Sequence, residues 1–360
     1  MTEPLTPIYD EPVRGTYPSL AWLGLHGRDR MSTGRALKIP RPPMHHLTGL
    51  RPVAIEQDEV AWELPASPWF QTAAGPFLGG ISALAADAPL GGVLFPHLEP
   101  GAYPTSSELS MSFLRPAGVA SEKLVARARL IDVGRTQGLS EATVADARGR
   151  VVAHMTSRLF IKTITPVPGP PDELTLPEQP VYDTPDPWER PLPAALGPLR
   201  AGETSGIDAL RRIASGESPG GPFMHLFGMR LTEAEEGSVR LVIHASEWLN
   251  SAARAIYGGF LALFVDAAMT FAVTSTIPAG GSCAALDVKV HFLRPGIADG
   301  RELECRAFVV HRGRRFAVTQ AELLNPDGKP VVIASGSSMV LADRPWGSIV
   351  IADEDSPGDD

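Results

Sequence analysis

The chain has 360 residues, a formal net charge of −9 and two cysteines. With 44% hydrophobic and 20% charged residues the composition is that of a globular protein, and the length predicts about two domains. The negative charge argues against a nucleic acid as partner, because that affinity depends on clustered Lys and Arg side chains. Two cysteines and no apolar run behind Met1 argue against a disulfide framework and a secretory signal, so we expect a cytoplasmic protein.

The first segment in chain order, residues 1–42, contains Pro, Gly and several basic residues, and we expect an arm exposed to solvent. Residues 162–221 form a second irregular segment. Between Pro166 and Pro198 it has 11 prolines in 33 residues, which predicts an extended linker or a strap laid over a surface, because proline disrupts helices and central strands. The last segment, residues 344–360, is predicted to be a disordered acidic tail.

The two segments between these form an internal repeat with a constant shift of 179 residues, which places Asp87 on Asp266. The shift holds without a net gap over more than 100 residues. It aligns further identical residues: His46 with His225, Leu47 with Leu226, Trp69 with Trp248, Gly79 and Gly80 with Gly258 and Gly259, and Arg115 with Arg294. The chain is therefore predicted to be two copies of one domain, residues 43–161 and 222–343.

Each copy predicts the same elements. An alternating pattern predicts a strand, and a loop with a tryptophan leads to a Gly-Gly pair and an apolar helix. Four strand-like runs separated by turn sequences follow. The predicted helices are 79–88 and 258–273, and the predicted strands are 60–64, 108–114, 124–133, 137–146 and 151–160 in the first copy and 239–243, 287–293, 303–311, 315–324 and 331–341 in the second. Such a domain is α+β, with a sheet that covers the helix on several sides.

Asp87 and Asp266 are the strongest candidates for catalysis on physical grounds. The helix around Asp266 is apolar on every face, so it is predicted to be a buried helix and not a membrane span. A buried carboxylate is costly unless it is paired or lines a cavity, and burial raises its pKa as a general base requires. The alternative is a structural acid that caps a neighbouring loop.

The Gly-Gly pairs stand where each helix begins. Amide N–H groups there lack helical partners and lie at the positive end of the helix dipole. Glycine would let a substrate carbonyl approach these amides, which would then form an oxyanion hole. Close packing of the helix is the other interpretation.

The order of these motifs resembles the hotdog-fold acyl-CoA thioesterases of the phenylacetyl-CoA thioesterase type. The resemblance rests on Gly-Gly-x6-Asp, on Phe-Leu-Arg-Pro at a strand end and on a Gly-Arg turn, all present in both copies, over residues 43–161 and 222–341. It implies two hotdog domains, each a central apolar helix wrapped by an antiparallel sheet, paired as an intramolecular pseudo-dimer. It also implies hydrolysis of acyl-CoA to free acid and CoA, with no cofactor beyond the CoA of the substrate, and further association into homo-oligomers.

The family builds its sites across the pair, with Asp and Ser or Thr from one unit and Asn and Gly-Gly from the other. The resemblance implies one composite site of Asp87, Thr105, Ser106, Asn250, Gly258 and Gly259. The other would contain Asp266, Gln71, Gly79 and Gly80 and would face Ala284 and Ala285 instead of hydroxyl groups. The first set is the more complete. The family commonly has His before Gly-Gly, where this chain has Leu78 and Tyr257.

Two other features bear on the site. Pro89, two residues after Asp87, predicts that the first helix bends or ends there. Five arginines at strand ends and turns are candidates for contact with CoA phosphates, with solvated turn residues as the alternative: Arg115, Arg135, Arg294, Arg314 and Arg315. The sequence shows no metal-ligand spacing, no phosphate loop and no Gly-x-Ser-x-Gly motif, so we expect no metal.

Two other functions stay open. Hotdog enoyl-CoA hydratases carry a His five residues after their Asp, where this chain has Gly92 and Phe271, so hydration is disfavoured. A non-catalytic acyl-CoA-binding or regulatory module would fit Leu78, Tyr257 and the unequal sites.

Overall fold

The computed structural model describes residues 7–30, 40–165, 180–196, 204–342 and 344. The strands of this part form one twelve-stranded antiparallel sheet in the order β1-β2-β4-β5-β6-β3-β9-β12-β11-β10-β8-β7. Strands of the first repeat are β1 Arg51–Ile55, β2 Glu59–Pro65, β3 Ala102–Phe113, β4 Lys123–Val133, β5 Gln137–Asp146 and β6 Val151–Thr163. Those of the second are β7 Met229–Glu235, β8 Ser238–His244, β9 Ser282–Phe292, β10 Glu302–Arg312, β11 Phe316–Leu324 and β12 Pro330–Leu341.

Helices lie on this sheet and at the chain segments that lead into it. They are α1 Leu20–Leu23, α2 Pro43–Thr48, α3 Ile81–Gly92, α4 Gly206–Ala214, α5 Pro222–Phe227 and α6 Gly258–Thr274. We call α3 and α6 the first and second central helices. Both contact the strands of their own repeat and also contact each other.

The sheet has the same strand order from either edge. The two repeats meet where β3 pairs with β9, and the pairs Leu109 with Val290 and Met111 with Val288 lie across this seam. All four side chains are buried. Because the equivalent strands of the two repeats pair antiparallel, the seam turns two six-stranded sheets into one and removes an exposed edge from each.

The two central helices lie where they were predicted, but the bounds of the first differ at both ends. The second runs from Gly258 to Thr274 and is buried from Gly259 onward, as its all-round apolar sequence predicts. The first begins at Ile81, two residues later than predicted. It continues through Pro89 to Gly92, so of the two predicted effects of the proline, a bend or an end, the end is wrong.

Two elements of each repeat escaped the sequence analysis. The short helices α2 and α5 and the edge strands β1 and β7 have no clear apolar period. They nevertheless follow the shift of 179 residues, and Gly49 and Gly228 end the two short helices with positive φ angles of 77° and 65°. A residue with a Cβ is strained in that conformation, so glycine allows both helices to stop there.

The N-terminal arm is packed against the protein, so the expectation of a solvated arm is wrong for its described part. The side chain of Arg30 is 1% exposed. Its guanidinium donates to backbone carbonyl oxygens of Leu23, Leu25, Glu99 and Ala102. Five donors in a rigid fork can satisfy a cluster of buried carbonyls that no apolar side chain could.

Residues 180–196 form a strap over the first repeat, as the proline content predicts. The carboxylate of Asp186 accepts hydrogen bonds from Arg14 at 3.0 Å and Arg41 at 3.1 Å and pairs with the His46 ring at 3.0 Å. The indole N–H of Trp69 donates to the carbonyl of Arg190 at 2.7 Å. The largely buried carboxylate of Asp186 is therefore one of the groups that connect the strap to the arm.

Other predictions for the irregular segments fall partly outside the described residues, namely those for 166–179, 197–203 and the tail from 345 to 360. The described residues of the predicted linker include one α-helix, α4. In the described residues no helix is long and apolar enough to cross a membrane. Nor do those residues group three or more His, Cys, Asp or Glu side chains around a place for a metal ion.

Candidate active site

Asp87 of the first central helix contacts both repeats. Its Oδ1 accepts a hydrogen bond from Ser106 Oγ of β3 at 3.0 Å. Its Oδ2 accepts one from the backbone N–H of Gly259, at the start of the second central helix, at 3.0 Å. A buried carboxylate of one repeat is thus held at the positive end of the helix of the other.

Glycine makes this contact between the two helices possible. A Cβ atom at Gly259 would lie 2.4 Å from the carbonyl oxygen of Ala83, and one at Gly80 would lie 2.7 Å from the Cα of Leu263. Both distances are far below van der Waals contact, so no other residue fits without moving a helix backbone. The second glycine of each pair therefore serves close helix packing, which was one of the two interpretations.

The electrostatics of Asp87 suit a proton acceptor. Burial raises the pKa of its carboxyl group, while the hydrogen bonds from Ser106 and Gly259 favour the charged form and oppose that rise. Asp87 keeps 9% of its surface exposed, against 1% for Asp266. Asp87 is therefore the less buried of the two acids.

The first glycine of the second pair offers a free donor beside this acid. Gly258 is the first residue of its helix and partly exposed, and no described residue accepts a hydrogen bond from its N–H. A Cβ atom at Gly258 would lie 2.8 Å from Asp87 Oδ2. Since the Gly259 N–H is already bonded to Asp87, the donor available to an oxyanion is the N–H of Gly258.

Two residues predicted for this site form no hydrogen bond with Asp87. Thr105 precedes Ser106 in a strand, so its side chain lies on the opposite face, where its hydroxyl donates to the carbonyl of Phe160 at 3.4 Å. Asn250 Nδ2 donates to the hydroxyl of Tyr17 in the arm at 3.3 Å. Asn250 Oδ1 is buried without a partner among the described residues.

The second set of residues forms a similar but poorer arrangement. Oδ2 of Asp266 accepts from the N–H of Gly80 at 2.8 Å, and its Oδ1 is buried without a partner in the described part of the chain. Burial raises the pKa of Asp266 to about 6, with bonds from Gly80 and Thr270 opposing the rise. Ala284 and Ala285 stand where the first repeat has Thr105 and Ser106, so β9 supplies no hydroxyl.

The remaining residues of the second set contact other parts of the protein. The backbone carbonyl of Gln71 accepts a hydrogen bond from the N–H of Phe223 in α5 of the second repeat at 3.2 Å. A Cβ atom at Gly79 would lie 2.6 Å from the ring of Phe113 in β3 of the same repeat. Gln71 and Gly79 are both partly exposed.

Both repeats match family models. Residues 254–332 match the model described as "Thioesterase superfamily", and residues 64–161 match "Acyl-CoA thioesterase C-terminal domain". Both repeats therefore contain a thioesterase domain. The resemblance stated from the sequence is thereby confirmed, and the protein is a thioesterase enzyme.

Solved structures show the fold of this thioesterase. A hotdog-fold protein of unknown function from Alicyclobacillus acidocaldarius superposes with a TM-score of 0.51 at 17% identity over 83% of this chain and 98% of its own. A putative thioesterase from Novosphingobium aromaticivorans gives 0.51 at 17% over 81% and 98%. The tesB protein of Mycobacterium avium subs paratuberculosis gives 0.51 at 15% over 83% and 97%. The hotdog fold is therefore confirmed. No curated protein matches the chain.

The five candidate arginines of the thioesterase lie at turns, as predicted. Arg115 and Arg294 each donate to a backbone carbonyl at the start of a neighbouring strand, those of Val151 and Pro330. These bonds hold the two Phe-Leu-Arg-Pro turns, which favours a structural role. The side chains of the other three, Arg135, Arg314 and Arg315, are exposed, and their contact with CoA stays a prediction.

The sequence analysis missed two tyrosines near the site. Tyr17 lies in the arm that was expected to be solvated, and Arg254 stacks over its ring at 4.3 Å from the centroid. Tyr257 was noted only as a departure from the family His, but its hydroxyl reaches into the first central helix. Only the fold brings either phenol to the site, so no local signal could have revealed these contacts.

Proposed function

We propose that the thioesterase hydrolyses acyl-CoA at one site shared between its two repeats, which pair as an intramolecular pseudo-dimer, with Asp87 as the general base. The observation that carries this proposal is the 3.0 Å hydrogen bond between Asp87 Oδ2 and the Gly259 N–H. It joins residues 172 positions apart, one from each repeat. The name of the family model matched by residues 64–161 supports an acyl-CoA substrate.

In the first step the Asp87 carboxylate takes a proton from a water molecule as the water oxygen bonds to the thioester carbonyl carbon. Negative charge then develops on the carbonyl oxygen. The N–H of Gly258 donates to this oxyanion, with the dipole of the second central helix adding to its stabilisation. Ser106 keeps the carboxylate of Asp87 in place throughout.

In the second step the tetrahedral intermediate collapses and the carbon–sulfur bond breaks. The thiolate of CoA leaves, and the proton held by Asp87 passes to that sulfur. The products are the free acid and CoA, and the carboxylate of Asp87 is restored. No cofactor is needed, because the water supplies the nucleophile and Asp87 returns the proton it takes.

The test is an assay of thiol release from acyl-CoAs of different chain lengths, read with a coloured thiol reagent. Both cysteines of the protein are buried, so they add little background. We expect multiple turnovers with at least one acyl-CoA. Tight binding of an acyl-CoA in calorimetry without release of thiol would instead identify a non-catalytic acyl-CoA-binding module.

A further inference from the structure

The phenol of Tyr257 bridges one turn of the first central helix. Its hydroxyl donates to the carbonyl of Leu84 at 3.0 Å and accepts from the N–H of Ala88 at 2.8 Å. In a regular α-helix these two backbone groups bond to each other, because residue i bonds to residue i−4. A side chain from the second repeat thus takes part in the backbone hydrogen bonding of a helix in the first.

Pro89 explains why this turn receives an outside hydroxyl. It has no N–H to donate to Ala85, and its ring crowds the carbonyl four residues back. A helix interior disrupted in this way commonly ends, yet this helix continues to Gly92. The Tyr257 hydroxyl gives a hydrogen-bond partner to the Leu84 carbonyl and to the Ala88 N–H in the turn beside Pro89.

The equivalent positions around Asp266 have neither the tyrosine nor the proline. The shift of 179 residues places Leu78 on Tyr257 and Ala268 on Pro89. Leu78 has no hydroxyl, and Ala268 keeps its backbone N–H in a helix that runs from Gly258 to Thr274. The proline and the phenol therefore occur as a matched pair, and they occur around Asp87 only.

We propose that Tyr257 is a positioning residue, whose phenol completes the helical turn next to Pro89 and thereby fixes Asp87 against the N–H of Gly259. Asp87 lies between Leu84 and Ala88 in this turn, and Tyr257 directly precedes the Gly258-Gly259 pair. The side chain of Tyr257 and the amide that follows it hold the same turn at two points. This role rests on the proposed function in so far as Asp87 is the base.

Removing the phenol hydroxyl removes no charge. Burial raises the pKa of Tyr257 well above its usual 10, and the charge of nearby Asp87 adds to the rise, so the residue is neutral at working pH. The groups that bond to Asp87 are Ser106 and Gly259, neither of which titrates near neutral pH. An altered titration of Asp87 in a Tyr257→Phe variant would therefore report a change in geometry.

The experiment compares Tyr257→Phe, Pro89→Ala and the double variant with the wild type, all as full-length proteins. In Tyr257→Phe we expect kcat for the acyl-CoA hydrolysed best to fall by about 10-fold or more with KM little changed, since small displacements of a catalytic group are costly. The acid limb of the kcat profile should move to higher pH, because a weakened bond from Gly259 raises the pKa of Asp87. A loss of stability alone would move neither KM nor this limb.

Pro89→Ala tests the coupling. It restores the N–H of residue 89, so the turn can form regular helical hydrogen bonds. The turn then depends less on the hydroxyl of Tyr257. We expect the loss caused by Tyr257→Phe to be several-fold smaller in the Pro89→Ala background. Tyr9→Phe is the matched control, because the Tyr9 ring packs on His244 of β8 in the second repeat. If Tyr257→Phe fails to fold alone, rescue of folding by Pro89→Ala shows the same coupling. Equal losses in both backgrounds, or no rescue, would overturn the inference.

A measurement without substrate separates this inference from the proposed function. The carboxyl ¹³C signal of Asp87, assigned with Asp87→Asn, should titrate at higher pH in Tyr257→Phe than in the wild type. If the wild type hydrolyses no acyl-CoA but this shift occurs, the positioning role stands and the proposed function fails. If the wild type is active and neither the titration nor kcat of Tyr257→Phe changes, Tyr257 has no positioning role.

Discussion

Two aspartates that are equivalent in sequence have different surroundings in the folded protein. Asp87 accepts from a hydroxyl and an amide and keeps a small exposed surface, whereas Asp266 is 1% exposed and has an unpartnered oxygen in the described part of the chain. Both acids are buried, and Asp87 is the less buried and the more fully hydrogen-bonded of the two. The chemistry of the two residues is therefore expected to differ even though their side chains are the same.

Asp87→Asn should reduce the rate of thioester hydrolysis by roughly 10²-fold or more, because the amide cannot accept the proton of the attacking water. Asp266→Asn is the matched variant and should have a much smaller effect, since β9 offers no hydroxyl beside it. Steady-state rates of the two purified variants check this. An equal loss, or a larger loss at Asp266, would contradict the assignment of Asp87 as the base.

Ser106→Ala should move the acid limb of the kcat profile to higher pH. The Ser106 hydroxyl stabilises the charged form of Asp87, so its loss raises the pKa of that carboxyl group. Thr105→Ala is the control, because it removes the neighbouring hydroxyl from the other face of the strand. Identical acid limbs for Ser106→Ala and the wild type would show that the Ser106 bond does not influence the base.

Asp266 should make stability depend on pH. Its pKa is raised by burial from 3.8 to about 6 in the folded protein. The folded state then binds more protons than the unfolded state between these values, so stability falls as pH rises through this window and stays lower above it. This difference in the pKa of Asp266 corresponds to about 3 kcal/mol in the free energy of unfolding. Urea unfolding at pH 4 to 8 should show the wild type losing about this much relative to Asp266→Asn, and parallel curves for the two proteins would contradict the prediction.

At the scale of elements, the two central helices meet through glycines. Gly80 and Gly259 allow backbone contact, and this contact brings the start of each helix to the acid of the other. The backbone N–H groups at the start of each helix thereby bind a carboxylate of the other repeat. Close packing and the attraction of the helix dipole for negative charge act together at this contact. The packing interpretation applies to the second glycine of each pair, and a catalytic role stays a prediction for Gly258.

Gly258→Val should lower the rate by roughly 10²–10³-fold, because a Cβ atom there lies 2.8 Å from Asp87 Oδ2 and obstructs approach to the free N–H. Gly91→Ala is a suitable control, since its Cβ atom would make an ordinary 3.7 Å contact with Leu159 Cδ2. Thermal unfolding of both variants should accompany the rates. Full activity of a folded Gly258→Val would remove Gly258 from the site.

For the whole molecule, the seam between β3 and β9 and the contact between the central helices join the repeats into one structure. The arm and the strap add to this connection. The indole N–H of Trp248 in the second repeat donates to the carbonyl of Glu11 in the arm, and Arg190 of the strap pairs with the carboxylate of Glu11. Covalent linkage through residues 166–179 is thus only one of several connections.

A protease site inserted between residues 166 and 179 should therefore leave an active enzyme after cleavage. We expect the two pieces to elute together in size-exclusion chromatography and to keep most of the thioesterase activity. The first repeat expressed alone should be inactive unless it forms a homodimer, and adding the second should restore turnover. A monomeric first repeat as fast as the full chain would rule out a shared site.

Much of the fold could be predicted from the sequence, because local patterns and the repeat carry it. The apolar period of the second central helix, the strand alternation and the turn residues depend on near neighbours in the chain. The motifs also identified the family. The edge strands were missed because they have no clear apolar alternation, although each pairs with the next strand of its own repeat. The short helices were missed because contacts with the other repeat help to hold them, such as the hydrogen bond from the Met44 N–H to the carbonyl of Asn250.

The sequence by itself determined the two copies, the buried acids and the inequality of their neighbours, since each is a matter of residue identity at a fixed spacing. Only the tertiary structure decided which of the candidates meet. In the fold Ser106 donates a hydrogen bond to Asp87, whereas Thr105 bonds elsewhere. Asn250 bonds to the arm, and the phenol of Tyr257 bonds to the helix that contains Pro89. These contacts join residues distant in the chain, and short-range patterns contain no information about which distant surfaces will pack together.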